Sequence, residues 1–146
     1  YGNEINETTT PFEVGLGKFV ALDKADFVGR QALVEHSKNV SRRLCCLVME
    51  ERAVPRTGYI VFDGQTEVGR VTSGTFSPSL ERGIALAYVD AAYSAEGTSL
   101  AVEIRGKQYA AHVVRRPFYS RKKQKGETQP NIVSQKFLHQ RSVFNL

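Results

Sequence analysis

The chain has 146 residues, 41% of them hydrophobic and 24% charged, with a formal net charge of +5. Those values suit one ordinary globular domain, or a small domain with pieces attached at its ends, and roughly two-thirds of the unfolded surface can be hidden at this length. No apolar run approaches the ~20 residues that a membrane-spanning helix needs, so no membrane partner is expected. The excess charge lies beyond Ser120, where six basic residues (Arg121, Lys122, Lys123, Lys125, Lys136, Arg141) face one acid, Glu127. The rest of the chain is neutral, which makes nucleic acid an improbable partner for the body of the domain.

The chain opens Tyr1-Gly2-Asn3-Glu4, polar and without an initiator Met. This is expected to be an internal cut point and not a signal peptide, which would carry a basic leader and an apolar stretch. A polar loop runs to Pro11, and the apolar run at 18–22 predicts a short strand. A helix is expected over about 26–37, with Asp23 or Asp26 accepting its first free N–H groups. Phe27, Gln31 and Val34 would share one stripe of that helix, with Val28 and Ala32 beside it. Gly29 costs a helix roughly 1 kcal/mol against Ala and points to close packing or a late start.

From residue 41 to about 120 the pattern is β. Strands are predicted at 44–49, 59–62, 68–72, 84–89, 99–104 and 108–114. Asp63-Gly64 suits a hairpin turn and Arg105-Gly106-Lys107 a tight one. The stretch between Val71 and Val89 reads as a crossover loop between strands, its hydroxyls satisfying turn backbone. Short strands with turns every ten residues or so indicate an all-β barrel or sandwich. The fold class is therefore mainly β: a barrel of six or so strands, preceded by a strand–helix segment from a truncated α+β domain. The domains divide as 1–40, 41–120 and a basic tail at 121–146, whose Phe137, Leu138, Val143, Phe144 and Leu146 could dock or form a loose helix.

Local motifs for chemistry are sparse. Cys45 and Cys46 are neighbours, so in a strand their side chains point to opposite faces. They are too few for a structural zinc site, and free thiols in a reducing compartment are expected. His36, His112 and His139 have no metal-ligand spacing and no nucleophile beside them. Gly15-x-Gly17 is only a glycine pair, no phosphate-cradling loop is present, and Glu50-Glu51 point apart on a strand end. No catalytic residue and no metal ligand can be assigned within the chain.

Four stretches, in order, carry a resemblance. Tyr1-Gly2-Asn3-Glu4-Ile5 with Thr9-Thr10-Pro11 resembles an LYGNDI…TTP loop. Leu22-Asp23-Lys24-x-x-Phe27-Val28-Gly29-Arg30-x-Ala32-Leu33 resembles an LDK-x-x-FIGREAL segment. Val71 to Val89 resembles TSG-x-x-SPSL-x-x-x-IALAYV, and Arg116-Pro117-Phe118-Tyr119 a closing PFY motif. Together they resemble the C-terminal portion of the glycine cleavage system T-protein (aminomethyltransferase) family, over residues 1 to about 120.

The resemblance implies three domains around a central hole that holds tetrahydrofolate. It implies transfer of an aminomethyl group from the lipoyl arm of a carrier, the H-protein, with release of ammonia and formation of methylene-tetrahydrofolate. The family's folate-activating Asp and its folate-holding Glu and Arg lie upstream of the YGN motif, outside this chain. Residues 1–40 would end the family's middle domain and 41–120 form its C-terminal barrel. The chain alone is then expected to be inactive, because catalysis needs its groups preorganised in one site.

One functional position carries over. Tyr119 matches the family's C-terminal Tyr lining the folate site, and a phenol offers both a ring to stack and a hydroxyl to bond. The bland alternative is a Tyr that closes the barrel end. Arg43, Arg56 and Ser77 also fall in family-like positions. Arg43 is expected to pair a carboxylate across the missing interface, and Ser77 to serve a turn.

The family usually ends soon after PFY, whereas this chain runs on for 27 residues. Related folate proteins share the barrel, among them dimethylglycine and sarcosine dehydrogenases and dimethylsulfoniopropionate demethylases. The KGCYxGQE motif of the iron–sulfur repair relatives is absent. A second reading is a binding module, in which Arg115, Arg116 and the 121–125 run beside Tyr119 attract nucleic acid or an acidic partner. The expected location is the cytoplasm, or the mitochondrial matrix in a eukaryote.

Overall fold

A computed structural model describes residues 1–120; the expectations for the basic tail lie outside the described residues. Six antiparallel strands close into a barrel in the order β1-β4-β3-β2-β5-β6. They are β1 Arg42–Met49, β2 Ile60–Asp63, β3 Thr66–Ser77, β4 Arg82–Asp90, β5 Ser99–Ile104 and β6 Lys107–Val114. The mainly β, six-stranded expectation therefore holds. Two turns match their sequence signals. Arg105 and Gly106 both have positive φ (54° and 78°), the pattern of a two-residue type I′ hairpin between β5 and β6. Gly64 (φ 59°) opens the β2–β3 turn, with Asp63 facing Thr66.

Alternation places the core. In β4, Gly83, Ala85, Ala87 and Val89 are buried while Arg82, Ile84, Leu86 and Tyr88 between them are only half so. The inward set joins Cys45, Leu47, Met49, Val61, Val68, Val71, Leu100, Val102, Ala111 and Val113. Strand β1 does not alternate, since all of Cys45, Cys46, Leu47, Val48 and Met49 are buried. Continuous burial of this kind means that both faces of the strand are covered. The cysteines are free and buried, and Cys45 belongs to the inner core while Cys46 does not.

The loop between β1 and β2 packs against strand glycines. A Cβ on Gly83 would collide with the carbonyl oxygen of Ala53, and one on Gly74 would stand 2.5 Å from that of Pro55. Pro55 itself is fully buried. The glycines of the Thr72-Ser73-Gly74 and Arg82-Gly83 segments are thus needed where a loop backbone presses against the sheet.

Three expectations are corrected. Residues 18–22 do not form a strand: Gly17–Phe19 is a single 3-10 turn, because Phe19 is 73% exposed and no sheet edge accepts this segment. Helix α1 runs Arg30–Lys38 and starts from Gly29 at φ 86°, so neither Asp23 nor Asp26 caps it. The left-handed glycine makes the late start that its low helix propensity suggested. No residue of α1 is buried, and Val28, just before it, is fully exposed. Finally, Val71 to Val89 is a hairpin and not a crossover, with Ser77 opposite Arg82 and a turn between them containing Glu81 at φ 52°.

Gly83→Ala should cost about 1–3 kcal/mol, since overpacking against a fixed backbone forces the loop to shift. Urea denaturation followed by circular dichroism would read this as a lower midpoint with an unchanged slope. A midpoint equal to that of the unmodified chain would show that Ala53 yields freely.

Candidate functional site

The outer face of β1, β4 and β3 carries most of the polar side chains that bond across long sequence separations. Antiparallel register puts Arg42, Leu44, Cys46 and Val48 of β1 beside Asp90, Tyr88, Leu86 and Ile84 of β4. On the other side of β4 stand Arg70, Ser73 and Thr75 of β3, shifted at a bulge between Val71 and Ser73. Residues 1–14 lie against this face.

Glu13 makes the firmest attachment. The Thr10 amide donates to its Oε2 at 2.6 Å and the Thr10 hydroxyl at 2.9 Å, while the Thr10 hydroxyl oxygen accepts from the Glu13 amide at 3.4 Å. This reciprocal pattern has the bonding of a capping box, Thr-x-x-Glu, here closing the turn at residues 11–15 and not a helix. The other carboxylate oxygen, Oε1, accepts from Arg42 Nε at 2.6 Å. Arg42 in turn stands 4.6 Å from the centre of the Tyr88 ring. Burial alone would raise the Glu13 pKa, but the hydrogen bonds from Thr10 and Arg42 outweigh it and hold the carboxyl below its ordinary range.

Glu4 makes the second attachment. Thr72, the bulged residue, donates its hydroxyl to Glu4 Oε1 at 3.1 Å, and the Tyr88 hydroxyl donates to the Glu4 carbonyl at 2.7 Å. Burial opposes ionisation here too, yet hydrogen bonds from Ser73 and Thr72 prevail and Glu4 is also shifted down. Burial pushes the Tyr88 phenol up. The chemistry of this network is that of fastening: both carboxylates are spent on donors.

Beside it lies an apolar hollow of ≈ 250 Å³, lined by Ser73, Gly74, Thr75, Ile84, Ala85, Leu86 and Phe118. Tyr119 follows Phe118 directly and is 58% exposed. A second cleft of ≈ 420 Å³ is lined by Arg42, Glu67, Arg70, Tyr88 and Asp90 among others. Its charges are balanced, and Arg70 already bonds Glu67 and the Gly58 carbonyl.

The other sequence candidates are scattered. Arg43 is exposed in β1, and its neighbour Arg42 pairs with Glu13. Arg56 donates to the Gly74 carbonyl at 3.4 Å. Ser77 ends β3 beside the turn. Arg116, offered above as an anion ligand, spends its guanidinium on the carbonyls of Val14 (3.3 Å) and Leu44 (2.7 Å). His112 is 3.8 Å from Glu50, and among the described residues no group of three metal-ligating side chains converges. Glu4, Glu13, Arg42 and Tyr88 were not singled out from sequence. The Thr10-Pro11-x-Glu13 spacing was the signal available for Glu13, whereas nothing local announces a bond between Glu4 and Thr72.

The glycine cleavage T-protein C-terminal barrel domain model matches residues 42–120. An aminomethyltransferase of Streptomyces avermitilis is 50% identical over 129 residues, covering 84% of this chain and 35% of that protein. One from Synechococcus sp. (strain CC9902) is 51% identical over 123 residues, 83% of this chain and 34% of that protein. Among solved structures, the glycine cleavage system aminomethyltransferase T from Bartonella henselae superposes with a TM-score of 0.75 at 37% identity, over 81% of this chain and 34% of that one. The chain spans about a third of the length of the curated relatives it matches.

A carboxyl whose folded pKa lies below its unfolded one contributes stability above the unfolded value and loses it as pH falls through the folded value. Glu4 and Glu13 should therefore stabilise fully at neutral pH and progressively less below the ordinary glutamate value of 4.5. Thermal unfolding followed from about pH 6 to about pH 3 should show a shallower acid loss in Glu13→Gln than in the unmodified chain. Equal acid limbs would mean that Glu13 is not held in its charged form by the fold.

Proposed function

The chain belongs to the glycine cleavage T-protein family, and we propose that it supplies the C-terminal barrel wall of a tetrahydrofolate-dependent aminomethyltransferase. The observation that carries this reading is the family match across the whole barrel, residues 42–120, together with about 50% identity to aminomethyltransferases. In the intact protein the reaction would take an aminomethyl group from a lipoylated H-protein to tetrahydrofolate, in glycine breakdown. The N-terminal domains would be the remaining partners. A reducing compartment, cytoplasm or mitochondrial matrix, agrees with two buried free thiols.

Residues 1–40 are proposed as the end of the preceding domain. In support, α1 has nine residues and buries none of them. A helix that short is marginal in water without an apolar face to pack. Phe19 and Val28 stand exposed beside it, as surface awaiting a neighbour would.

Tyr119 is the residue of this chain proposed to meet the folate. The chemistry of its surroundings fits such a group: Ile84, Leu86 and Phe118 offer an apolar floor, while Ser73 and Thr75 offer hydroxyls at the rim. The folate supplies the nitrogen that accepts the one-carbon unit. Tyr119 would stack on an aromatic ring and offer its hydroxyl to a polar edge. No group in the described residues pairs a base with a nucleophile, so the chain's own contribution is binding and orientation.

Two measurements test this. In an aminomethyl-transfer assay with lipoylated carrier and tetrahydrofolate, the chain alone should give no turnover; turnover unaided would overturn the assignment of catalysis to the rest of the protein. Calorimetric titration with tetrahydrofolate under reducing conditions should give binding that weakens about tenfold in Tyr119→Ala, the scale of one lost ring contact and hydrogen bond. Undiminished affinity in the variant would remove Tyr119 from the site.

A further inference from the structure

We infer that residues 1–14 are a strap that detaches from the barrel as a unit of its own, fastened through Glu13 to the open edge of β1. The inference goes beyond the folate reading and stands without it.

The edge exists because β6 is too short to cover β1. Strand β6 ends at Val114, opposite Cys46, so residues 42–45 of β1 have a strand neighbour only on the β4 side. Leu44 is left with an amide and a carbonyl aimed outward. Its N–H donates to the Glu13 carbonyl at 2.8 Å. Its C=O accepts from Arg116, and Arg116 also bonds the Val14 carbonyl. The strap thus stands in for a missing strand, and an edge left bare would be a template for pairing with other chains.

What holds it is different in kind from what holds the barrel. The inner cluster contains no residue before Cys45, and Val14 is the one buried hydrophobic of the strap. The remaining attachments are the side-chain bonds of Glu4 to Thr72 and of Glu13 to Arg42, with the Tyr88 hydroxyl on the Glu4 carbonyl. Segments with few buried apolar contacts open at lower free energy than core strands. The barrel ladders close without the strap, so its release leaves them intact.

The adjacent cysteines report the two events separately. Cys45 belongs to the inner cluster, is 7% exposed, and its thiol lies 3.8 Å from the Ser94 carbonyl oxygen, so its surroundings do not include the strap's bonding residues. Cys46 stands in the outward row after Leu44, is 2% exposed, and lies beside Arg116. Loosening residues 13 and 14 withdraws one of the carbonyls that orient Arg116 and opens a path to the Cys46 sulfur alone.

The test is alkylation of the native chain by N-ethylmaleimide, with fragmentation mass spectrometry resolving the two sulfurs. In Glu13→Gln, Cys46 should react about tenfold faster than in the unmodified chain, while the Cys45 rate stays unchanged. Arg42→Lys, which keeps the charge and gives up the guanidinium geometry, should move Cys46 in the same direction. Parallel acceleration of both cysteines would overturn the inference, because the strap would then belong to the barrel's cooperative unit. Unchanged rates at both would overturn it as well, as would loss of the folded barrel in both variants.

Discussion

Much of this molecule follows from one mismatch: β1 is longer on its N-terminal side than β6 can pair. Antiparallel closure between them runs only from Cys46 opposite Val114 to Met49 opposite Ala111. A buried backbone donor or acceptor without a partner costs about 1–3 kcal/mol, so the amide and carbonyl of half-buried Leu44, left without a strand neighbour, call for a non-strand partner. The Glu13 carbonyl and the Arg116 guanidinium meet that demand from opposite ends of the described chain. Fixing residue 13 draws the N-terminal loop over β4 and β3. Fixing residue 116 aims Pro117 and Phe118 toward the hollow on the same face, and so sets where Tyr119 emerges.

The opposite requirement operates where the 53–55 loop meets the sheet. There backbone comes too close to backbone, and the solution is subtraction: no side chain at Gly74 or Gly83. One side of the barrel needs added donors and the other needs removed atoms. Both needs fall on short sequence stretches, Thr72-Ser73-Gly74 and Arg82-Gly83-Ile84, which also supply the hydroxyls for Glu4 and the floor of the hollow. A substitution in these stretches therefore acts on packing, on the strap and on the candidate ligand face at once.

What the sequence made legible is what depends on neighbours in the chain. The strands at 84–89, 99–104 and 108–114 and the Arg105-Gly106 turn are legible, because strand composition and positive φ are local properties. The unbroken apolar run of β1 announced a strand covered on both faces, though not by what. Local reasoning failed where tertiary placement decides. Residues 18–22 have a strand's composition, yet no sheet edge is offered to them. The stretch from Val71 to Val89 looks like a crossover in sequence because Ser77-Pro78-Ser79 gives a turn signal without specifying which strands it joins. The polar network was hidden for the same reason: Glu4 and Thr72 are 68 residues apart, and Glu13 and Arg42 are 29 apart. Tyr119 came from resemblance, and the structure adds an exposed position next to an apolar hollow.

The stretches that carry the family resemblance turn out to be joints. The Tyr1-Gly2-Asn3-Glu4 and Thr9-Thr10-Pro11 segments are the strap and its capping box. Thr72-Ser73-Gly74 receives the strap and admits the 53–55 loop, and Arg116 seals the edge of β1. A joint constrains both of its sides, so residues far apart in sequence must fit one another, and a chain that retains all of them retains the architecture they serve. A chain spanning about a third of its curated relatives' length thus keeps the residues that fit its barrel together.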